Sequence, residues 1–165
     1  MTISENNKIA VIVLNYFDTE ATSKCINSVR KTIKSTIFLV DNSAYRIERK
    51  KLTSLYQHQE EVHLLFPPEN LGFAAGVNLA IKKAVQKGFK RFLLLNNDAV
   101  LLNGAGARFR QAFNQWPGTL MAPVIRWGDR INRGNYYHKY LGLLVNDRLP
   151  ESDAWLYYLT GCALA

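Results

Sequence analysis

The chain has 165 residues, 48% of them apolar and 21% charged. This is the profile of one ordered domain with a substantial core, and it excludes a disordered or fibrous chain. Lysine and arginine number 21 against 13 aspartates and glutamates, a formal charge of +8, which favours phosphate-bearing partners or anionic surfaces. The basic residues are dispersed, so no block of them forms a nucleic-acid arm, and no nucleic-acid partner is expected. Cys25 and Cys162 lie far apart, and His58, His63 and His138 lack ligand spacing. That argues against a disulfide framework and a histidine–cysteine metal centre, and favours a reducing, cytoplasmic setting. The first seven residues lack the charged-then-apolar layout of a signal peptide. No apolar run approaches the roughly 20 residues that span a bilayer, so any membrane contact is expected to be peripheral, on the inner face of the plasma membrane.

In chain order, Ile9 to Leu14 reads as a buried strand that ends at Asn15-Tyr16-Phe17-Asp18. Cys25, Ile26, Val29 and Ile33 then recur at helical spacing, with Asp18 or Thr19 as N-cap. Thr36 to Val40 is a second strand, ending in Asp41-Asn42-Ser43, and Ile47, Leu52 and Leu55 follow at near-helical spacing. Val62 to Phe66 is a third strand, stopped by Pro67-Pro68. Glu69 to Gly76 reads as a small-residue turn leading into a helix whose buried stripe is Val77, Ala80, Ile81 and Ala84, with Gly88 at its C′ position. Arg91 to Leu95 is a fourth strand, delivering Asn96-Asn97-Asp98. A further helix runs through Phe109, Ala112 and Phe113 to Trp116-Pro117-Gly118. Leu120 to Trp127 is expected as a strand, Arg130 to Asn135 as a loop, and Tyr136 to Val145 as strand or hairpin. Alternating strands and helices imply an α/β fold with a mainly parallel sheet, right-handed crossovers and helices on both faces, a three-layer α/β/α domain over residues 1–165.

Three strands release polar residues directly at their C-terminal ends, and in a parallel sheet those ends share one edge. Tyr16 offers a ring on which a base could stack, and Asp41 can accept from a base N–H or a ribose hydroxyl. Asn96 and Asn97 can bind ribose hydroxyls, and Asp98 can hold a divalent cation against a diphosphate. Each also has a local explanation, since Asn and Asp favour turns for reasons of their own. Neither Gly-x-Gly-x-x-Gly nor the Walker pattern occurs, which lowers the dinucleotide and ATPase readings. Gly72 and Gly76, with Ala74 and Ala75, permit close approach at a helix start, either for an anion or for helix–sheet packing.

Val11-Ile12-Val13-Leu14-Asn15-Tyr16, Leu39-Val40-Asp41-Asn42-Ser43, the block from Glu69 to Asn78 and Leu93-Leu94-Leu95-Asn96-Asn97-Asp98 occur in an order that resembles family 2 glycosyltransferases. The likeness is strongest to the bacterial rhamnosyltransferase-like branch, and it covers nearly the whole chain. It implies a GT-A (Rossmann-like) fold that binds a UDP- or dTDP-sugar with Mg²⁺ or Mn²⁺. It also implies inverting transfer of the sugar to a glycan or lipid-linked acceptor in polysaccharide biosynthesis. By that likeness Asp41 contacts the base with Tyr16 and Asn15 near it, and Asn70, Gly72 and Asn78 line the donor pocket. Asn96, Asn97 and Asp98 occupy the Asp-x-Asp position, with Asp98 as metal ligand and Asn96 in place of the first acid.

The family's general base usually follows a Thr-Gly-Ala/Cys segment. Thr160-Gly161-Cys162 matches that segment and the chain then ends, so the catalytic base is expected to be missing and the acceptor portion truncated. Asp129, Asp147, Glu151 and Asp153 read as solvated surface. The aromatics Trp127, Tyr136, Tyr137, Tyr140, Trp155, Tyr157 and Tyr158 suit sugar stacking or plain packing equally. Apolar residues such as Leu159 and Leu164 favour self-association or a partner. A catalytically silent nucleotide-sugar-binding module and a nucleotidyltransferase are the alternative readings.

Overall fold

The computed structural model describes residues 8–132 and the strand segments Asn135–His138, Leu143–Asn146 and Ala163–Leu164. Strand and helix alternate through β1 (Ile9–Asn15), α1 (Thr19–Thr32), β2 (Thr36–Asp41), α2 (Arg46–Tyr56), β3 (Val62–Leu65), α3 (Gly72–Gln86), β4 (Arg91–Asn96) and α4 (Ala105–Gln115). Near-continuous apolar runs give strands buried on both faces, as a parallel sheet demands. β1, β2, β3 and β4 pair in parallel in the order β3-β2-β1-β4, and β9 (Ala163–Leu164) adds antiparallel beside β4. The chain therefore starts mid-sheet, moves outward through β2 and β3, and returns across the sheet to β4. That reversal of strand order between β1 and β4 opens the crevice in which such sheets bind ligands.

Alternate residues of the strands feed two cores. Ile9, Val11 and Val13 pack with Cys25, Ile26 and Val29 of α1, Leu52 and Tyr56 of α2, and Phe109 and Phe113 of α4. Ala10, Ile12, Phe38 and Val40 face Ala80 and Ala84 of α3. The alanines of α3 let it lie close to the sheet, and Gly76 closer still, since a Cβ there would come 2.7 Å from Leu14 Cδ1. The helix caps follow the sequence signals. Asp18 accepts from the Ala21 N–H at 2.9 Å. Gly88, at φ +83°, closes α3 with paired bonds from its own N–H to Val85 and from Phe89 N–H to Ala84.

Several expectations change. The segment from Gly72 to Gly76 is the first turn of α3 rather than a turn preceding it. Only Ile125–Trp127 (β5) of the apolar run from Leu120 is a strand. Pro123 cannot donate to a ladder, and Leu120 and Val124 remain exposed. Arg130–Asn132 (β6), expected as loop, pairs antiparallel with β5 around Gly128-Asp129, with Gly128 at φ +58°. The two-residue Gly-Asp connection is a hairpin signal that the apolar pattern obscured. Asn135–His138 (β7) and Leu143–Asn146 (β8) pair antiparallel, over the stretch expected as strand or hairpin. Thr160, Gly161 and Cys162 lie outside the described residues. No helix among the described residues is long and apolar enough to cross a membrane.

Candidate functional site

Register brings the three polar strand ends together. Asn15 lies beside Asp41, and Leu14 beside Asn96, so the ends of β2, β1 and β4 form one continuous edge. Across it runs a chain of hydrogen bonds anchored on buried Thr22, in the first turns of α1. Asn97 Nδ2 donates to Thr22 Oγ1 at 3.2 Å, Thr22 Oγ1 donates to Asn15 Oδ1 at 2.7 Å, and Asn15 Nδ2 donates to Asp41 Oδ1 at 3.2 Å. Asp41 Oδ1 also accepts from Ser43 Oγ at 2.6 Å and from Ser43 N–H at 3.2 Å. Every donor points toward Asp41, which holds its oxygen in one orientation. The other oxygen, Oδ2, is buried and has no hydrogen-bond partner among the described residues.

Asn15, Thr22 and Asp41 are all fully buried, whereas Tyr16 is 55% exposed. Asn15 is therefore turned inward, its carboxamide bonded to Thr22 and to Asp41. Tyr16 packs edge-on against Phe17 (ring centroids 4.9 Å apart), and Phe17 against Tyr45 at 5.8 Å. All three rings are about half exposed, giving a row of aromatic faces at the ends of β1 and β2. Phe17 and Ala44 hold φ at 56° and 50°, left-handed values that cost a non-glycine residue about 1 kcal/mol or more. Strain at the ends of two neighbouring strands fits a shaped site rather than a relaxed turn.

Asn42 ties the turn before α3 to the same edge. Its Nδ2 donates to Asn70 Oδ1 at 2.7 Å and to Gly72 O at 3.1 Å, and its Oδ1 accepts from Leu71 N–H at 2.9 Å. Asn70 Oδ1 accepts in turn from Gly72 N–H at 2.8 Å, an arrangement for which Gly72 adopts φ +74°. Asn70, Gly72 and Asn78 are exposed, as is the first turn of α3 from Gly72 to Ala75. The backbone N–H groups there favour an anion. Asn96 and Asn97 are half-buried and Asp98 exposed, with Ala99 N–H closing the turn onto Asn96 O at 3.0 Å.

Nearby, buried Glu48 accepts from Lys51 and from Thr19, each at 2.6 Å. These bonds, the Lys51 one foremost, hold its carboxyl below the usual glutamate range. Cys25 packs beneath the β4 end, its Sγ 3.5 Å from Asn96 O. Burial, and secondarily the charge of Asp98, pushes its thiol up to about 12. That is a packed cysteine, not a nucleophile. A cleft of ≈ 280 Å³ lies elsewhere, along β3, lined by Phe38, His63, Leu65, Lys83 and Lys87 among others.

The structure thus gathers Asn15, Tyr16, Asp41, Asn70, Gly72, Asn96, Asn97 and Asp98 along one edge, with Asn78 on an exposed position of α3. Thr22, Phe17 and Tyr45 were not singled out from the sequence, and Asn42 had only a place in a motif. A threonine at the fourth position of a helix carries no signal until the fold puts it beside Asn15 and Asn97. For a divalent cation, no cluster of three or more histidine, cysteine or acidic side chains stands among the described residues. Asp98 with neighbouring carboxamides suits a cation that draws most of its ligands from phosphates and water.

Residues 9–157 match the profile described as Glycosyl transferase family 2. No curated protein sequence matches the chain. Among solved structures it is similar to S. aureus TarS 1-349, at 16% identity and a TM-score of 0.53 over 66% of this chain and 32% of that one. It is also similar to the mannosyltransferase PcManGT from Pyrobaculum calidifontis in complex with GDP-Man and Mn²⁺, at 15% identity and a TM-score of 0.51 over 64% and 32% of the two chains. The chain spans about a third of the length of each (32%), and at these identities the likeness is one of fold.

Proposed function

This chain belongs to glycosyl transferase family 2, and we propose that its strand-end site binds a UDP- or dTDP-sugar with Mg²⁺ or Mn²⁺ for inverting transfer to a glycan or lipid-linked acceptor. The observation that carries this reading is Asp41 Oδ2, a buried carboxylate oxygen without a partner among the described residues. Such an oxygen costs free energy until a donor reaches it. Its twin already accepts three bonds, so one free acceptor remains. That suits the single ring N–H of uracil or thymine. Guanine presents two adjacent donors, which both oxygens of an unencumbered carboxylate would meet better. Because Asp41 is fully buried, the base reaches it only by displacing what covers it, and the exposed Tyr16 ring offers a stacking face at the same strand ends.

The diphosphate would lie between Asp98 and the exposed first turn of α3, where helix N–H groups favour negative charge. Asn42 holds that turn through Asn70, Leu71 and Gly72. The cation, when bound, neutralises charge developing on the departing diphosphate. The GDP-Man and Mn²⁺ bound to the mannosyltransferase of like fold are in keeping with a nucleotide sugar and a divalent cation here. Asn96 and Asn97 would meet ribose hydroxyls.

Calorimetric titration of UDP, dTDP and GDP with and without Mn²⁺ tests the reading. UDP or dTDP should bind better than GDP, and Mn²⁺ should strengthen binding. Asp98→Ala should remove the Mn²⁺ effect. Asp41→Ala should weaken UDP by about tenfold through the lost charge-assisted bond. Undetectable nucleotide binding, or an Mn²⁺ effect that survives Asp98→Ala, refutes the donor site.

A further inference from the structure

The N-terminal edge of the sheet carries a surface of opposite character. Ala10 pairs with Thr36 and Ile9 with Arg91, so continuing the register two residues out from the first pair and one from the second sets Lys8 between Lys34 and Lys90. Three exposed lysines thus lead three adjacent strands, about 5 Å apart from strand to strand. The helical layers extend the row on both sides. Lys31 lies in the last turn of α1, and Lys83 and Lys87 lie at the end of α3. All six are exposed. Lys31, Lys34, Lys83, Lys87 and Lys90 enter no ion pair among the described residues. Glu60 and Glu61 precede β3 at this edge, and Glu61 is occupied by Arg30 at 2.9 Å. Arg91 is turned onto α4, bonded to Asn114 and stacked over Phe113.

Helix dipoles account for Lys31 and Lys83, and Lys34 directly follows Ile33, the C-cap of α1, whereas Lys8 and Lys90 immediately precede β1 and β4. Carboxylates gather instead at the opposite edge, where Asp18, Asp41, Glu48, Glu69 and Asp98 all lie at strand ends or helix starts. That edge also carries Arg46, Arg49, Lys50 and Lys51 in the first turns of α2, so it is mixed in charge, whereas the N-terminal edge is predominantly basic. We infer that this lysine edge is a docking surface for an anionic lipid bilayer. It would hold the domain with the candidate site directed away from the headgroups, about 20 Å off by the length of β1.

The chemistry favours lipid over nucleic acid. Single strands need exposed aromatic rings interleaved with charge, and the largely exposed rings among the described residues, Tyr16, Phe17, Tyr45 and Phe73, lie at the far edge. The charges along this edge are lysines, point charges suited to a diffuse headgroup layer, rather than the arginine forks that grip phosphates individually.

Co-sedimentation of the full chain with vesicles tests this independently of any nucleotide binding. Vesicles of phosphatidylcholine with about 30% phosphatidylglycerol should retain the protein at low salt and release it at about 0.5 M NaCl, and pure phosphatidylcholine should not bind it. Each lysine near such a surface contributes about fivefold to partitioning, so Lys34→Gln, Lys87→Gln and Lys90→Gln combined should lower it by about 100-fold. Lys24→Gln, Arg46→Gln and Lys50→Gln combined remove the same charge elsewhere and should lower it far less. No binding to anionic vesicles, equal losses in the two triple variants, or tighter binding to a DNA oligonucleotide than to the vesicles overturns the inference.

Discussion

Replacing Thr22 by valine keeps the shape of a fully buried side chain and deletes the hydroxyl that joins two strand ends. Two hydrogen bonds go, the 2.7 Å donation to Asn15 and the 3.2 Å acceptance from Asn97. At about 1 kcal/mol net for each, and with buried Asn15 Oδ1 left without that donor, the loss is about 2–4 kcal/mol. A domain of ordinary stability, about 5–15 kcal/mol, still folds after such a loss. The Asn15 carboxamide, no longer fixed from behind, stops presenting Nδ2 steadily to Asp41. Uridine, which tests the base end alone, should therefore bind about three- to tenfold more weakly. Serine at the same position keeps the hydroxyl and should stay within about 1 kcal/mol of wild type, with uridine affinity unchanged. Urea unfolding followed by tryptophan fluorescence reads the stability, and calorimetry reads the affinity. If valine is as stable as threonine, or serine costs as much as valine, the methyl group and not the hydroxyl matters and the relay is refuted.

Two further predictions concern packing and pH. Gly106→Ala should destabilise by about 3 kcal/mol, because its Cβ would press into the Thr32 carbonyl and lie 2.9 Å from Ile33 Cβ. Gly76→Ala presses on the end of the Leu14 side chain, with Asn42 at ordinary van der Waals distance, and should cost about 1 kcal/mol in the same urea assay. For Cys25, raised from 9.0 to about 12, the folded state keeps a proton that the unfolded chain releases. Stability from this group is complete below pH 9 and falls as pH rises toward 12. Between about pH 8.5 and 10.5, wild type should lose about 2 kcal/mol more than Cys25→Ala. Equal pH slopes would mean that the thiol is not held protonated by burial.

Much of the fold is legible in the chain itself. The runs Ile9 to Leu14 and Arg91 to Leu95 carry their burial in their own apolarity, and Asp18 and Gly88 carry the helix ends in their local chemistry. These signals are short-range, so composition and spacing suffice to read them. The hairpin at Gly128-Asp129 had its signal too, but a stretch of exposed apolar residues before it mimicked a longer strand. Gly76 left two readings open, and its contact with Leu14 shows close helix–sheet packing at that point.

The candidate site divides along the same line. Asn15, Tyr16, Asp41 and Asn96 to Asp98 stand out because polar residues directly after buried strands are visible in one dimension. That they form one edge depends on register, Asn15 against Asp41 and Leu14 against Asn96. Register is fixed by packing over the whole sheet rather than by any segment. The same long-range pairing turns Asn15 inward, leaves one oxygen of Asp41 bare and makes Thr22 the link between distant strands. It also lines up Lys34, Lys8 and Lys90, which in the chain are scattered charges. The sequence alone determined which elements form and which residue types end them, because those preferences are local. Only the tertiary structure decided which of those ends meet and which side chains face inward, because such choices are settled by contacts between residues tens of positions apart.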